Sequence, residues 1–458
     1  MRPSFYLSIT MVLLLLLTYN AEAQFEFSGQ LRTRSELRQG QGTLPITGAD
    51  PAFFTSQRTR FNVGYKKDRI TFYTSLQDVR VWGQDVSTIN RNTMDFNMGL
   101  MLHQAYAEIQ LSDTSAFIQN AAFKIGRQEL VYNDHRLLGN LDWLQQGRRH
   151  DMLLFKTHFP KWYLHAGVAY NQNNERKHGT VYAGIPDPSL GFVPGYPPGT
   201  NQIGTMYKSA QFLYVNRTIK PGQVNFLFFK DDFNRFERDG GDLVFQENTW
   251  SRMTTGLNSE MRFFNNDLYL NASVYAQGGR DMLGNNLRAW MASVYSNYKV
   301  AGGLSIGPGV DILSGNDGGQ TSGVNRAFDP LYGTPHKFWG LMDYFYVADP
   351  FARVGLNDFY FRTKYQFSEK FFAFVDVHEF HSYGRIFGAD AEGGQTEYGR
   401  RLGTEVDLIL NYQLMPGFNI EGGYAMFFAT ESLKVVKPPF TERNNIGHWA
   451  YLMLNVTI

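Results

Sequence analysis

QFEFSGQLRTRSELR, residues 24–38, alternates over its whole length. One parity carries Phe25, Phe27, Leu31 and Leu37. The other carries Glu26, Ser28, Gln30, Arg32, Arg34, Glu36 and Arg38. A helix would spread these residues around its axis, whereas a strand points successive side chains to opposite faces. The stretch therefore reads as a strand with one apolar and one polar face.

The same period recurs down the chain. Phe61, Val63 and Tyr65 oppose Arg58, Arg60 and Asn62; Met253, Leu257, Met261 and Phe263 oppose Arg252, Asn258, Glu260 and Arg262. Phe359 and Phe361 oppose Arg362 and Lys364 across the parity, and Val406, Leu408 and Leu410 oppose Glu405, Asp407 and Asn411. Segmenting on this pattern predicts strands at 24–38, 55–67, 69–82, 100–112, 121–131, 150–158, 162–172, 206–219, 222–232, 250–264, 267–279, 287–299, 302–314, 354–366, 370–382, 402–415, 418–430 and 446–458. That is an all-β chain of about 18 strands, an even number, as bacterial barrels have.

The connections supply the second argument. Tight ones, such as Lys67-Asp68, Phe159-Pro160-Lys161, Lys220-Pro221-Gly222, Asn265-Asn266-Asp267 and Pro416-Gly417, largely alternate with long polar ones at 39–54, 83–99, 132–149, 173–205, 233–249, 315–353, 383–401 and 431–445. Transmembrane antiparallel barrels show this rhythm, with short periplasmic turns and long outside loops. A soluble sandwich has no reason to.

Composition agrees. Aromatic residues make up 16% of 458, with 38 Phe and 26 Tyr. Mean hydropathy is only −0.33, which argues against a helical membrane bundle but suits a barrel in which alternate residues meet lipid. Net charge is +1, so no global field favours nucleic acid. There is no cysteine, hence no disulfide framework and no thiolate site. Arg2, the apolar run Ile9 to Leu17 and Ala21-Glu22-Ala23 read as a signal peptide over residues 1–23, too short to span. Residues 24–458 then form one barrel domain, with outer-membrane lipid and the barrel assembly machinery as expected partners. The final strand has Ala450, Leu452, Leu454, Val456 and Ile458 on one parity. It resembles the C-terminal assembly signal of such barrels but lacks a terminal aromatic.

The polar parity should line the lumen, and it is rich in cations: Arg32, Arg34, Arg58, Arg60, Arg252, Arg262, Arg362 and Lys364. Arg80 and Arg127 are added as pore residues, their facing left open by possible local bulges. Guanidinium groups match carboxylate and phosphate, and rings of them make a pore anion-selective. Glu405 and Asp407 share this parity with Glu26, Glu36, Glu260 and Glu421, so a salt-bridge lattice that stiffens the wall stands beside the anion path.

Catalytic and metal readings are poorly supported. His378 and His381 point to opposite faces of a strand, so they cannot share an ion. Gly315-Asn316-Asp317-Gly318-Gly319 has too few carboxylates for a calcium loop, and Asp231-Asp232 and Asp239-Gly240-Gly241-Asp242, which could bind calcium on an outside loop, read rather as solvated turns. His378 with Asp376 is the one pairing that suggests an acid–base site, and no nucleophile motif accompanies it. No cofactor is implied.

Gly126-Arg127-Gln128-Glu129, Leu137-Leu138-Gly139, Trp143 and Arg148-Arg149 form one group of motifs. Phe328-Asp329-Pro330-Leu331-Tyr332 with His336, Gly340 and Asp343 form another, and Leu402-Gly403-Thr404-Glu405 with Asp407 a third. In this order they resemble the alginate export family of outer-membrane barrels. The resemblance implies an 18-stranded barrel with a basic constriction that passes an acidic polysaccharide such as alginate. It carries Arg127 over as a pore residue, with Arg148 or Arg149 beside it. Small-anion porin, barrel enzyme and blocked structural barrel remain as alternatives. The long loops 173–205 and 315–353 are candidates to fold inward or cap the mouth.

Overall fold

A computed structural model describes residues 24–84, 100–112, 119–172, 207–239, 242–318, 323–345, 353–389, 394–437 and 442–458, with Glu175 and Lys177. The expected signal peptide and most of the expected loops 83–99 and 173–205 lie outside these residues. The strands are β1 (Gln24–Gln39), β2 (Ala52–Lys67), β3 (Ile70–Val81), β4 (Met101–Gln110), β5 (Gln119–Gln128), β6 (His150–Phe159) and β7 (Trp162–Tyr170). Then come β8 (Ser209–Ile219), β9 (Gly222–Asp239), β10 (Asp242–Phe263), β11 (Leu268–Arg280), β12 (Asn286–Ala301) and β13 (Leu304–Leu313). β14 (Val324–Asn325) is a two-residue piece, followed by β15 (Leu356–Ser368) and β16 (Phe371–His381). β17 (Ile386–Ala389) and β18 (Gln395–Tyr398) form a separate hairpin. β19 (Arg401–Met415), β20 (Phe418–Ala429) and β21 (Ile446–Thr457) complete the chain, with a short helix at Glu431–Val436 between the last two.

Without β14, β17 and β18, eighteen strands remain, and each pairs antiparallel with the next. The sheet closes where β1 meets β21, from Gln30 opposite Thr457 to Gln39 opposite His448. Closure leaves no unpaired edge, which a sheet surrounded by lipid requires because nothing there can satisfy its N–H and C=O groups. The outward parity is apolar and exposed: Phe27, Leu31, Phe61, Phe72, Leu257, Val274, Phe359, Val375 and Leu452 all face away from the lumen. The strand count and boundaries follow the period-two segmentation closely.

One stretch departs from expectation. Residues 233–249 are not a long loop; β9 and β10 run through most of it as an extended hairpin with a register shift between Phe245 and Thr249. Phe236 is buried edge-on against Trp250, at 4.9 Å between ring centroids, while Arg235 and Glu237 are exposed. The alternation continues past the lipid-facing part of the wall, where both faces are more polar, and so resembles loop composition.

The densest packing lies inside the barrel. Phe328, Trp339, Met342, Leu138 and Tyr344 are almost fully buried. All belong to two inner segments, 129–149 between β5 and β6 and 326–345 between β14 and β15, which fold into the lumen and meet there.

Candidate functional site: a basic constriction clasped by two inner segments

The inner segments bind each other through their backbones. Gly139 N donates to Tyr332 O (3.0 Å), Tyr332 N to Leu137 O (2.9 Å) and Thr334 N to His135 O (2.9 Å). The Thr334 hydroxyl accepts from Leu141 N, and the Arg148 guanidinium donates to Gly333 O. Trp143 stacks on His336 with ring centroids 4.1 Å apart.

Segment 129–149 is fastened to β1 and β2 by arginines. Register brings Arg32 directly opposite Arg58. Like charges so placed repel, and a shared carboxylate offsets the repulsion. Asp142 supplies it, 3.2 Å from Arg32, 2.8 Å from Arg58 and 3.4 Å from Arg60. Arg32 also donates to Gln145 Oε1 (3.0 Å) and the Leu144 carbonyl (3.2 Å). Arg34 pairs with Glu36 (2.8 Å), donates to Trp143 O (2.8 Å) and lies over the Trp143 ring at 4.1 Å. Arg58 holds Gln30, and Arg60 holds Gln77. Glu129 lies 3.9 Å from Arg60 and 2.7 Å from His103. Counting Arg38 on Glu36, five guanidinium groups face three carboxylates. Burial acts to raise the Asp142 pKa, but the neighbouring Arg58 and Arg32 hold it below the ordinary range, so Asp142 is ionised at neutral pH. Its side chain remains 47% exposed while Arg58 is 1% exposed. A cavity of about 340 Å³ opens beside Arg60, lined by Gln30, Asn62, Tyr73, Ser75 and Asn140 among others.

Segment 326–345 is fastened to other strands of the wall, from β9 round to β19, by acids as well as bases. Arg252 grips Asp231 through two nitrogens (2.6 and 3.0 Å) and reaches Asp329 at 2.5 Å. Tyr332 donates to Asp231 (2.8 Å), and Gln277 donates to Asp329 O (2.7 Å). Asp311 accepts from Trp339 Nε1 (2.9 Å) and from Arg136 of the other segment. Met342 N donates to Glu405 (2.7 Å) and Leu341 N to Asp407 (3.3 Å). Gly340, at φ +79°, lies so close to this wall that a Cβ would come within 2.5 Å of the Glu405 carboxylate. Gly340→Ala is expected to cost about 1–2 kcal/mol from the left-handed backbone alone, with the overlap in addition. A lowered urea unfolding midpoint in detergent would show it, and an unchanged midpoint would refute the placement.

The expected pore residues divide into three groups. Arg32, Arg34, Arg58 and Arg60 converge at one level. Arg262, Arg362 and Lys364 also share the inward face, each beside an aromatic ring: Arg262 over Tyr269 (5.0 Å), Arg362 over Tyr360 (5.0 Å) and Lys364 over Phe372 (4.2 Å). Arg362 additionally pairs with Asp376 (2.9 Å). Arg252, Glu405 and Asp407 lie inside the barrel but are buried under segment 326–345, at 4%, 0% and 3% exposure. They are anchors of that segment and not the surface of an open path. Two residues require correction. Arg80 is opposite Gln57 on the face that carries Phe61 and Phe72, and pairs with Asp78 (2.7 Å). Arg127 is opposite Asp151 on the face of Ile125 and Leu153, and holds both Asp151 oxygens (2.8 and 2.9 Å). Both point away from the lumen, because the pairing around them keeps the regular alternation.

Asp142, Gln145, Arg136 and Asp311 were not anticipated. Arg136 and Asp142 flank the Leu137-Leu138-Gly139 motif, which was the available signal. His378 pairs with Asp358 (2.9 Å), not with Asp376. Asp231 serves Arg252, and Asp317 holds Arg385 (2.9 Å). Among the described residues no group of three or more His, Asp or Glu could hold a metal ion.

A closed antiparallel barrel of 18 strands, apolar outside and constricted inside by charged segments, has the architecture of an outer-membrane channel. Within that class, residues 23–171 match the model of the family described as alginate export. Similar solved structures include the outer-membrane protein OpdK of Pseudomonas aeruginosa, with 10% identity, TM-score 0.53, and 95% of this chain and 98% of that one covered. OccAB4 of Acinetobacter baumannii gives 13% identity and TM-score 0.58, with 96% and 100% covered. OccK8 (OprE) of Pseudomonas aeruginosa gives 13% and 0.55, with 95% and 98% covered. At such identities the likeness is one of fold. No curated protein matches the chain.

Proposed function

We propose that this protein is a diffusion channel for anionic solutes, selected at the constriction formed by Arg32, Arg34, Arg58 and Arg60 with Asp142. The observation that carries the reading is the convergence of three guanidinium groups on one half-exposed carboxylate. Such a cluster leaves a positive field that attracts anions into a low-dielectric passage and repels cations. Of the cations beside aromatic rings, Arg262 and Lys364 extend that field along the lumen, while Arg362 is compensated by Asp376.

The alginate export match over residues 23–171 supports an acidic polysaccharide as cargo, with uronate oligomers as its short form. One observation favours a smaller carboxylate as the second reading: both inner segments are pinned to the wall by ion pairs, Asp142 on Arg58 and Asp329 on Arg252, which leaves less room for a polymer. A related barrel fold has been solved with vanillate, and this aromatic carboxylate is a convenient probe.

Planar-bilayer recording tests the proposal. In a KCl gradient the reversal potential is expected to have the sign of chloride preference, and oligouronates or vanillate are expected to reduce chloride current. Cation preference would overturn the reading. Block by vanillate without block by oligouronates would select the small-solute form.

A further inference from the structure

β2 meets β1 and β3 so that Arg60 lies opposite Gln30 and Gln77, and Asn62 opposite Ser28 and Ser75. The cavity of about 340 Å³ beside Arg60 is walled by these strands, β4 and the inner segment 129–149. Short turns lie on the periplasmic side of such barrels, and Asn62 and Tyr73 are nearer the tight turn between β2 and β3 than Arg58 is. The cavity therefore lies on the periplasmic side of Asp142. It exceeds many times over the roughly 30 Å³ that one water takes, and it reaches the lower range of small-molecule sites, about 300 Å³. Two polar atoms of its lining residues, Arg60 Nη2 and Asn62 Oδ1, are buried with no hydrogen-bond partner among the described residues. The other polar atoms of these side chains are engaged. Arg60 Nε donates to Gln77 Oε1 (2.6 Å), Arg60 Nη1 reaches Asp142 (3.4 Å), and Asn62 Nδ2 donates to Ser28 Oγ (3.0 Å). Glu129, the carboxylate of the lining, is engaged by His103 at Oε1 (2.7 Å) and by Asn140 at Oε2 (2.9 Å). A β-bulge builds this corner: the register of β3 and β4 shifts between Ser75, opposite Gln104, and Leu76, opposite Leu102. His103 is the extra residue, so it and its neighbour Gln104 both reach the interior. His103 holds Glu129, and Gln104 lines the cavity and accepts from Glu129 N (3.2 Å). Bulges that re-aim a side chain are frequent beside functional sites.

We infer that this cavity is a binding subsite for a cyclic hydroxy acid, with the carboxylate on Arg60, the ring against Tyr73 and a hydroxyl across the ring donating to Asn62 Oδ1. Buried polar atoms nearly always have a partner, and the two that lack one here ask for different chemistry. The Arg60 nitrogen donates, and its strongest partner is an anionic oxygen. The Asn62 oxygen only accepts, so a carboxylate cannot satisfy it and a hydroxyl can. The two side chains share one face of one strand, two residues and so roughly 6–7 Å apart, a spacing that suits a six-membered ring with a substituent at each end. Tyr73, stacked on Tyr106 with ring centroids 5.2 Å apart, gives the cavity a flat wall for that ring. The inference rests on the anionic-solute reading and sharpens it: among acids of equal charge, the subsite selects those that carry a hydroxyl across the ring.

The test is block of chloride current through the full chain in planar bilayers by two acids of equal charge, cyclohexanecarboxylate and its derivative with a hydroxyl on the opposite ring carbon. Added on the periplasmic side, the hydroxy acid is expected to block about five- to tenfold more tightly, as one hydrogen bond to an acceptor otherwise left unpaired provides. Asn62→Leu keeps much of the side-chain volume and removes the acceptor. It is expected to bring the two blocking constants together by weakening the hydroxy acid alone. Tyr73→Leu is expected to weaken both acids and leave their ratio in place. Equal block of the wild-type channel by the two acids would overturn the subsite whether or not the variants fold, and so would a ratio that survives Asn62→Leu. The KCl reversal potential, read in the same membranes, keeps the two claims apart. Chloride preference with equal block overturns the subsite alone, whereas cation preference overturns the anionic-solute reading on which it rests.

Discussion

Arg252→Met is expected to loosen segment 326–345 and convert a steady channel into a flickering one. The side chain is buried and holds two carboxylates, Asp231 and Asp329. Methionine keeps much of its volume but none of its charge. The two acids would then be left facing each other without a cation, in a place that water reaches poorly. Removing one partner of a buried ion pair typically costs about 3–5 kcal/mol. Here the cost falls on the tie between the wall and the inner segment, because Asp329 belongs to the segment and Asp231 to β9. The ladder of the barrel is untouched, so local opening is cheaper than unfolding. Conductance noise and protease cleavage within 326–345 are expected to rise together. The triple variant that also carries Asp231→Asn and Asp329→Asn removes the stranded charges and is expected to recover much of the lost steadiness. Quiet conductance and intact protease resistance in Arg252→Met would mean that the segment is held by its aromatic packing, through Phe328 and Trp339, and not by this ion cluster.

The wall was readable from the sequence for a simple reason. A barrel strand meets lipid on one side and a polar lumen on the other, so every residue declares its face. The same rule could have placed Arg80 and Arg127: Arg80 shares its parity with Ile70 and Phe72, and Arg127 with Phe123 and Ile125. The positive φ at Gly126 left the pairing of Arg127 with Asp151 regular. Their assignment to the pore came from charge type and resemblance, against the period. The inner segments are a different matter. Arg32 meets Asp142 across 110 residues, and Arg252 meets Asp329 across 77. No local period encodes such contacts. Loop 132–149 has the Gly, Asn and charge content of any outside loop, and its inward course depends on the arginines that receive it. Buried acids on the polar parity, Glu405 and Asp407, look like lumen residues for the same reason: parity reports the side of the wall, not what covers it.

Asp142→Asn is expected to raise anion over cation permeability and so isolate the part of the constriction that decides selectivity. Asparagine keeps the shape, and its one amide oxygen can still accept from Arg58, while Arg32 keeps its bonds to Gln145 and the Leu144 carbonyl, so segment 129–149 stays in place. One negative charge is lost from a cluster of five guanidiniums and three carboxylates. A unit charge about 7 Å from a passing ion in water is worth on the order of 0.6 kcal/mol, roughly a factor of three for the anion and a similar factor, in the opposite sense, for the cation. The permeability ratio is therefore expected to move by about tenfold at low salt. Raising the ionic strength to about 1 M shortens the screening length to roughly 3 Å and should erase most of the difference. Arg60→Gln removes a cation from the same level and is expected to shift the ratio the other way. Opposite shifts from Asp142→Asn and Arg60→Gln, both fading with salt, would place the selecting field at this cluster. Shifts of the same sign, or none, would move it to the cations farther along the lumen, Arg262 and Lys364, and leave Asp142 as a clasp alone.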